Sequence, residues 1–345
     1  MDATDRRIVQ CLLRDGRASF RRIAEVAEVS EQTVARRYRA LVADGAVRVR
    51  ALPRHALLGD RTWFVRVRCR PDATDALADA LAAREDTAYV SVTSGGSEIV
   101  CQTHTGLRDQ GGSVLQRLPR TARVLGFDAC AVMHMYLGSG AKWLAFDDPL
   151  TDGQAALLHA SDPQQHASTG GAALDVGNSG APREQDGPLL AELARDGRAG
   201  VVELARACGW SKSRVSARLE ELLAAGALRV AVDLAYPRFG FHAPAYLWLT
   251  VAPGRLNATG EALSAHPETT FAAAVTGSAN LLVTVTCRTM DDLYSYVTTK
   301  VGALDAVHQV DVVPVLRRLK QAGTRLHDGH LIPVRSRSDP GPIPT

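Results

Sequence analysis

Along residues 1–52 the apolar positions recur at helical spacing, in three short runs separated by turn residues. Ile8, Leu12 and Leu13 give one amphipathic face that stops near Gly16. Ser19 then caps a second helix carrying Ile23, Ala24 and Ala27 on its apolar side, and Glu28-Val29 makes a tight turn. Ser30 starts a third helix, about 31–43, with Val34, Tyr38, Leu41 and Val42 inward. Its outer face offers Gln32, Thr33, Arg36, Arg37 and Arg39. Gly45 ends that helix, and 46–52 reads as a β-ribbon with Arg48 and Arg50 on one side.

The same pattern returns farther along. Arg14-Asp15-Gly16-Arg17-Ala18 recurs as Arg195-Asp196-Gly197-Arg198-Ala199. In that register Ala24 meets Ala205, Val34 meets Val215, Arg37 meets Arg218, and Gly45-Ala46 meets Gly226-Ala227. Chance seldom preserves register over so long a stretch, so the unit is duplicated. In the second copy Trp210 occupies the turn and Ser211 caps the third helix. That helix exposes Lys212, Ser213, Arg214 and Arg218, with Val215, Leu219, Leu222 and Leu223 inward and Arg229 on the following strand.

After each three-helix unit the pattern changes to alternation. Residues 62–69, 88–93, 98–103 and 130–137 read as strands, with helices over 73–82 and around 112–118. The second copy repeats this as strands at 245–251, 271–276, 281–286 and 306–315, with helices at 256–265 and 291–301. Val92-Thr93 pairs with Val275-Thr276 and Ile99-Val100 with Leu282-Val283. The order βαββαβ is the ferredoxin-like plan, one sheet with both helices on one face. Its open face needs a cover, and the other copy can supply it. The expected fold is therefore α+β, with two winged helix-turn-helix domains (1–52 and 186–233) alternating with two ferredoxin-like domains (53–148 and 234–322). A flexible linker at 149–185, with a short helical turn at 154–159 and then a run rich in Gly, Ala, Ser, Gln, Asp and Pro, joins the copies, and a loose tail runs over 323–345.

Composition adds limits. A 46% hydrophobic fraction supports real cores, and the net charge of +3, from 40 basic and 37 acidic residues, neither demands nor excludes nucleic acid. Its distribution is more telling. Residues 1–52 carry eleven basic against seven acidic residues, whereas 186–233 carry seven of each. The first unit is thus expected to dominate non-specific DNA affinity. Six cysteines without a CxxC pair read as buried free thiols in a reducing compartment. With no signal peptide and no long apolar span, a cytoplasmic, nucleoid-associated location is expected. No HExxH, P-loop or phosphate-cradling GxGxxG occurs, and the histidines are isolated. No catalytic, metal-binding or cofactor-binding residues are assigned, and an enzyme is not expected.

A recognition helix puts its early residues near base edges and flanking basic groups on phosphates. By that geometry Gln32, Thr33, Arg36 and Arg37 are the first copy's readers, and Lys212, Ser213, Arg214 and Arg218 the second's. Arg21, Arg22, Arg48 and Arg229 are the backbone contacts.

The chain resembles the Lrp/AsnC family of feast-famine regulators, in a form with the unit duplicated. The resemblance rests on Asp5-Arg6-Arg7-Ile8 with Asp15-Gly16-Arg17, echoed by Asp186 with Asp196-Gly197-Arg198. It extends to Leu57-Leu58-Gly59 and Arg238-Phe239-Gly240 as links to the sensor domains, to the turn Thr276-Gly277, and to the closing stretch 292–320. It implies dimerisation through the sheet and an amino acid or related metabolite bound near subunit interfaces. Members often carry an aromatic residue and an Asp after the Thr-Gly turn, where this chain has Ala279 and Asn280, and the first copy reads Thr93-Ser94-Gly95-Gly96-Ser97. An effector is placed near Thr93, Gly95 and Ser97 and near Thr276, Gly277 and Asn280. The expectation is a sequence-specific regulator of transcription on double-stranded DNA. Its sensor domains pair within the chain, its chains pair further, and its half-sites differ. The competing reading is an effector-independent protein that bridges or wraps DNA.

Overall fold

The computed structural model describes residues 1–53, 60–105, 113–138, 146–159 and 181–332. The Leu57-Leu58-Gly59 link, Gly112 and most of the expected linker and tail lie outside the described residues. Helices α1 (Ala3–Arg14), α2 (Phe20–Ala27) and α3 (Glu31–Ala43) form the first head around Ile8, Leu12, Ile23, Val34 and Leu41. Asp2, Ser19 and Ser30 each cap a helix by accepting a backbone N–H that the helix leaves unpaired. Strand β1 (Val47–Pro53) follows. Strands β2 (Arg61–Cys69), β3 (Thr87–Thr93), β4 (Glu98–Thr105) and β5 (Val124–Leu137) make the first sensor domain, with α4 (Thr74–Ala82) and the short α5 (Val114–Arg117) on one face.

The second copy follows the same order. Helices α7 (Gly187–Arg195), α8 (Val201–Cys208) and α9 (Lys212–Ala224) pack around Leu189, Leu193, Leu204, Val215 and Leu222, and strand β6 (Leu228–Leu234) follows. The α2–α3 and α8–α9 turns both need a left-handed residue: Gly209 adopts it in the second copy, Glu28 in the first (φ 54°). The second sensor domain comprises β7 (Ala243–Val251), α10 (Leu256–Ser264), β8 (Thr269–Val275), β9 (Leu281–Cys287), α11 (Met290–Ser295) and β10 (Val307–Gln321).

Strands β1 and β6 pair with each other, antiparallel and in unbroken register from Val47↔Leu234 to Pro53↔Leu228, rather than folding back on their own copies. The two heads are joined by this ribbon. The sensor sheets also share strands. β5 pairs with β2 through its first half and with β8 through its second, while β10 pairs first with β7 and then with β3. Eight strands thereby close on themselves in the order β10-β3-β4-β2-β5-β8-β9-β7. Between the two sheets lie Phe64, Val100, Tyr246, Trp248, Phe271 and Val313, the cover each open face required. The helices coat the outside, over separate cores.

Two expectations change at the edges. Of the linker, α6 (Asp152–His159) is a docked helix: Leu158, fully buried, joins Phe146 and Leu150 in the core of the first head. Of the tail, β11 (Thr324–His327) and β12 (His330–Leu331) form a hairpin against that same head, where Leu331 N–H donates to Gly45 O at 2.8 Å. Helix α6 includes the short turn expected at 154–159, whereas the tail hairpin is too short to stand out by periodicity. Their few apolar residues find partners far away in the chain.

Candidate nucleic-acid interface

The geometry of the heads begins with the repeated Asp-Gly-Arg. Each loop lies against the ribbon so closely that a side chain would not fit. A Cβ on Gly16 would lie 2.6 Å from Val230 Cγ1, and one on Gly197 2.5 Å from the Arg50 carbonyl carbon. Each arginine then crosses to the other copy. Arg198 donates to Gly16 O (2.7 Å) and Ala18 O (2.8 Å), and Arg17 donates to Gly197 O. Arg198 also covers the rings of Phe20 and Tyr38, at 4.7 and 5.3 Å. The motif that reads in sequence as a helix stop is a reciprocal clasp between the heads. Burial pushes both guanidinium groups below their ordinary pKa, partly offset by nearby Asp15 and Asp196.

Several expected DNA contacts belong to the scaffold instead. Arg218 is 5% exposed. It donates through Nε (3.1 Å) and Nη2 (2.6 Å) to the fully buried Asp186, through Nη2 to Ala181 O (2.7 Å), and lies 2.6 Å from Glu221. Its role as a base reader is withdrawn, because a guanidinium so enclosed cannot reach a groove. Arg37, its counterpart, is ion-paired to Asp2 (2.8 Å) and Asp5 (3.4 Å) and half-buried. The signal was present in the sequence, since Asp5 and Arg37 recur as Asp186 and Arg218 at equal separation. Burial works to raise the Asp186 carboxyl, but the hydrogen bonds from Arg218 and from the Arg183 amide prevail and hold it below the usual carboxylate range.

Arg48 is half-buried in the ribbon near Asp196 and Asp233, its pKa lowered by burial, and Arg50 is buried against Asp233 at 3.0 Å. Arg229 is half-buried in the same ribbon. Arg22 donates to Leu158 O of α6 (3.4 Å). Arg22, Arg48 and Arg229 are therefore each half-buried on a seam of the scaffold, less open to a duplex than the exposed residues of the third helices.

What remains on the surface of the third helices is compact. In the first head Gln32, Arg36 and Arg39 are exposed on α3, and Arg21 on α2. Thr33 is half-buried and shares a hydrogen bond with Ser30 (2.8 Å). In the second head Lys212, Ser213 and Arg214 are exposed on the first turn of α9. The exposed cations therefore sit mid-helix in one head and at the helix start in the other.

The two effector turns do not meet. Thr93, Gly95 and Ser97 lie where β10 passes onto the first sheet, and Thr276, Gly277 and Asn280 where β5 passes onto the second. Thr93 is fully buried and donates to Glu98, whose carboxylate is gripped by Arg66 Nε (2.8 Å) and Nη2 (3.2 Å). Asn280 donates to Val251 O (2.7 Å) and accepts from Val251 N–H (2.9 Å), so its amide is already matched. Thr276 likewise accepts from Ala131 N–H at 2.9 Å. Thr93 is thus enclosed and the Asn280 amide matched, while Gly95, Ser97, Thr276 and Gly277 are exposed. Between the sheets a cavity lined by Tyr89, Gln102, Tyr236, Tyr246 and Arg318 has room for little more than water.

Paired three-helix heads on a strand-sharing sensor body define a DNA-reading protein with a ligand-binding domain, a class in which helix-turn-helix and sensor modules alternate. The AsnC-type helix-turn-helix domain matches at residues 1–42 and again at 184–223, and the Lrp/AsnC ligand binding domain matches at 244–324. Both heads and the second sensor domain are thus similar to the domains of the Lrp/AsnC family. Curated relatives include uncharacterised HTH-type transcriptional regulators of Pyrococcus abyssi and Pyrococcus horikoshii, each 26% identical over 141 residues. Each alignment covers 41% of this chain and 89% of the relative. Among solved structures, the siroheme decarboxylase NirDL is similar over 92% of both chains, with a TM-score of 0.54 at 14% identity, a likeness of fold. E. coli AsnC aligns to 39% of this chain and 93% of its own, at 22% identity and a TM-score of 0.37.

Proposed function

We propose that this chain is a transcriptional regulator whose two unlike heads read two half-sites on one face of a duplex, under control of a small metabolite bound by the sensor body. The observation that carries the reading is the β1–β6 ribbon with its Arg17/Arg198 clasp, which holds two different recognition helices as one pair. Gln32 and Arg36 in the first head, with Arg21 flanking, and Lys212, Ser213 and Arg214 in the second, are the proposed contacts. Two such readers on one face of a duplex call for half-sites one helical turn apart, about 34–36 Å, or a multiple of that. Unlike readers imply an imperfect palindrome as operator. A regulator of this kind works in the cytoplasm, on the chromosome, and pairs further with other copies of itself.

The effector is proposed to be an amino acid or related metabolite. It would bind at the exposed Gly95–Ser97 and Gly277 turns, where the long strands pass from one sheet to the other. A ligand there would bias the relative placement of the sheets and, through the ribbon, of the heads. The neighbour NirDL is an enzyme on this fold, and fold alone does not decide function. The family of both heads and of the sensor domain favours regulation over catalysis.

Selection of duplexes from a random library, followed by footprinting, tests the reading. Two protected half-sites per chain on one face support it. A single protected half-site, or no retention of DNA at low salt, refutes it. Broad protection without sequence preference points instead to a DNA-bridging protein. Calorimetry with an amino-acid panel tests the effector, and absence of heat throughout removes it.

A further inference from the structure

We propose that Arg214, held over the indole of Trp210, is the residue through which the second head reads a guanine, and that the first head reads its half-site by other means. This rests on the DNA-reading function above and assigns it a base. The Arg214 guanidinium lies 4.0 Å from the Trp210 ring centre. Ser211 caps α9 by accepting the Arg214 backbone N–H at 3.3 Å, which fixes where the side chain leaves the helix. Gln185 accepts from Nη2 at 3.3 Å. The side chain is nonetheless exposed, in the first turn of a recognition helix, the part that approaches base edges.

Stacking decides the geometry. A guanidinium lying on an aromatic face keeps its plane fixed while its N–H edge points away, and that planar fork matches O6 and N7 of guanine in the major groove. An arginine ordered in advance loses less rotamer freedom on binding than one waving in solvent. Within 212–218 the other arginine is Arg218, which is buried against Asp186, so Arg214 is the guanidinium this surface presents. In the register of the duplication, Trp210 and Arg214 correspond to Val29 and Thr33, which form no such stack. The first head relies on Gln32, in the same turn, and on Arg36, one turn farther along its helix.

The test uses the full chain. Wild-type protein selects duplexes from a random library. Binding is then measured for R214A, R214K, W210A and W210F on the selected duplex and on variants changed one base pair at a time. The expected result is a preferred guanine in one half-site and a loss of roughly 5- to 150-fold for R214A on that duplex. The loss disappears when that G·C pair is replaced, R214K does not restore it, and W210F retains more than W210A. Circular dichroism of each variant confirms a folded second head. The inference is overturned if R214A weakens all duplexes alike, with R214K recovering and the salt slope falling by about one, the signature of a phosphate contact. It is also overturned if neither half-site prefers guanine. Both outcomes leave the regulator standing, whereas wild-type protein that retains no duplex at low salt removes the regulator as well.

Discussion

Removing Arg218 should unfold the second head rather than weaken its grip on DNA. The guanidinium is 5% exposed and Asp186 not at all, and four contacts of 2.6–3.1 Å join Arg218 to Asp186, Ala181 and Glu221. In R218A the Asp186 carboxylate stays buried with the Arg183 amide, at 2.8 Å, as a remaining donor. Breaking a buried pair by removing one partner costs about 3–5 kcal/mol, because an uncompensated charge is left behind. The counterpart R37A should cost less, since the Arg37 and Asp2 side chains are 34% and 50% exposed and screened by solvent, and the buried Asp5 lies at a longer 3.4 Å. Hydrogen exchange resolved by peptide provides the assay, comparing protection over 187–224 with that over 3–43. The double variant D186N/R218M, with no charge left to bury, should recover part of the loss. pH gives a second check. Because the Asp186 carboxyl is held below its ordinary value in the folded head, its stabilisation is present above the unfolded-state pKa. That stabilisation is lost as pH falls through the folded value, so protection of the second head should fall in acid and R218A should flatten its pH dependence. Equal losses for R218A and R37A, or an R218A head of unchanged protection that binds DNA with a reduced salt slope, would refute the reasoning.

Other consequences can be measured alongside. G197A should destabilise the clasp by about 1–3 kcal/mol, since its Cβ would press on the Arg50 backbone, and a spin-label distance between the heads should broaden. L158A should cost about 2–5 kcal/mol and lower protection of the first head only, because that side chain is fully buried in the first head's core. Equal loss in both heads would count against the docking of α6. R36A should weaken binding to DNA without lowering the melting temperature; a lowered melting temperature would place Arg36 in the scaffold. Burial raises the Cys11 and Cys101 thiols to about 12 and Cys130 to about 11, so iodoacetamide at pH 8 should modify half-exposed Cys208 well before these three. Prior labelling of Cys101 would show that the core beneath the helices of the first sensor domain opens readily.

The local plan of the molecule was legible in its sequence. Helical spacing of Ile8 and Leu12, the caps Ser30 and Ser211, and alternation through β2 and β4 are short-range signals, carried by residues a few positions apart. Duplication was equally plain, because a constant offset needs no knowledge of space. Tertiary structure decided what each charged residue is for. Arg36 and Arg37 are neighbours on one helix, yet one faces solvent while the other pairs with Asp2 and Asp5. The sequence pattern around them does not separate these fates, since the partners arrive from α1. The same holds for β1, which reads as a wing but pairs with β6, and for Gly16 and Gly197, whose need for space appears only where the other copy's strand passes. Periodicity records which side of an element is buried. Only the packed chain determines against what, and hence which arginines are left for DNA.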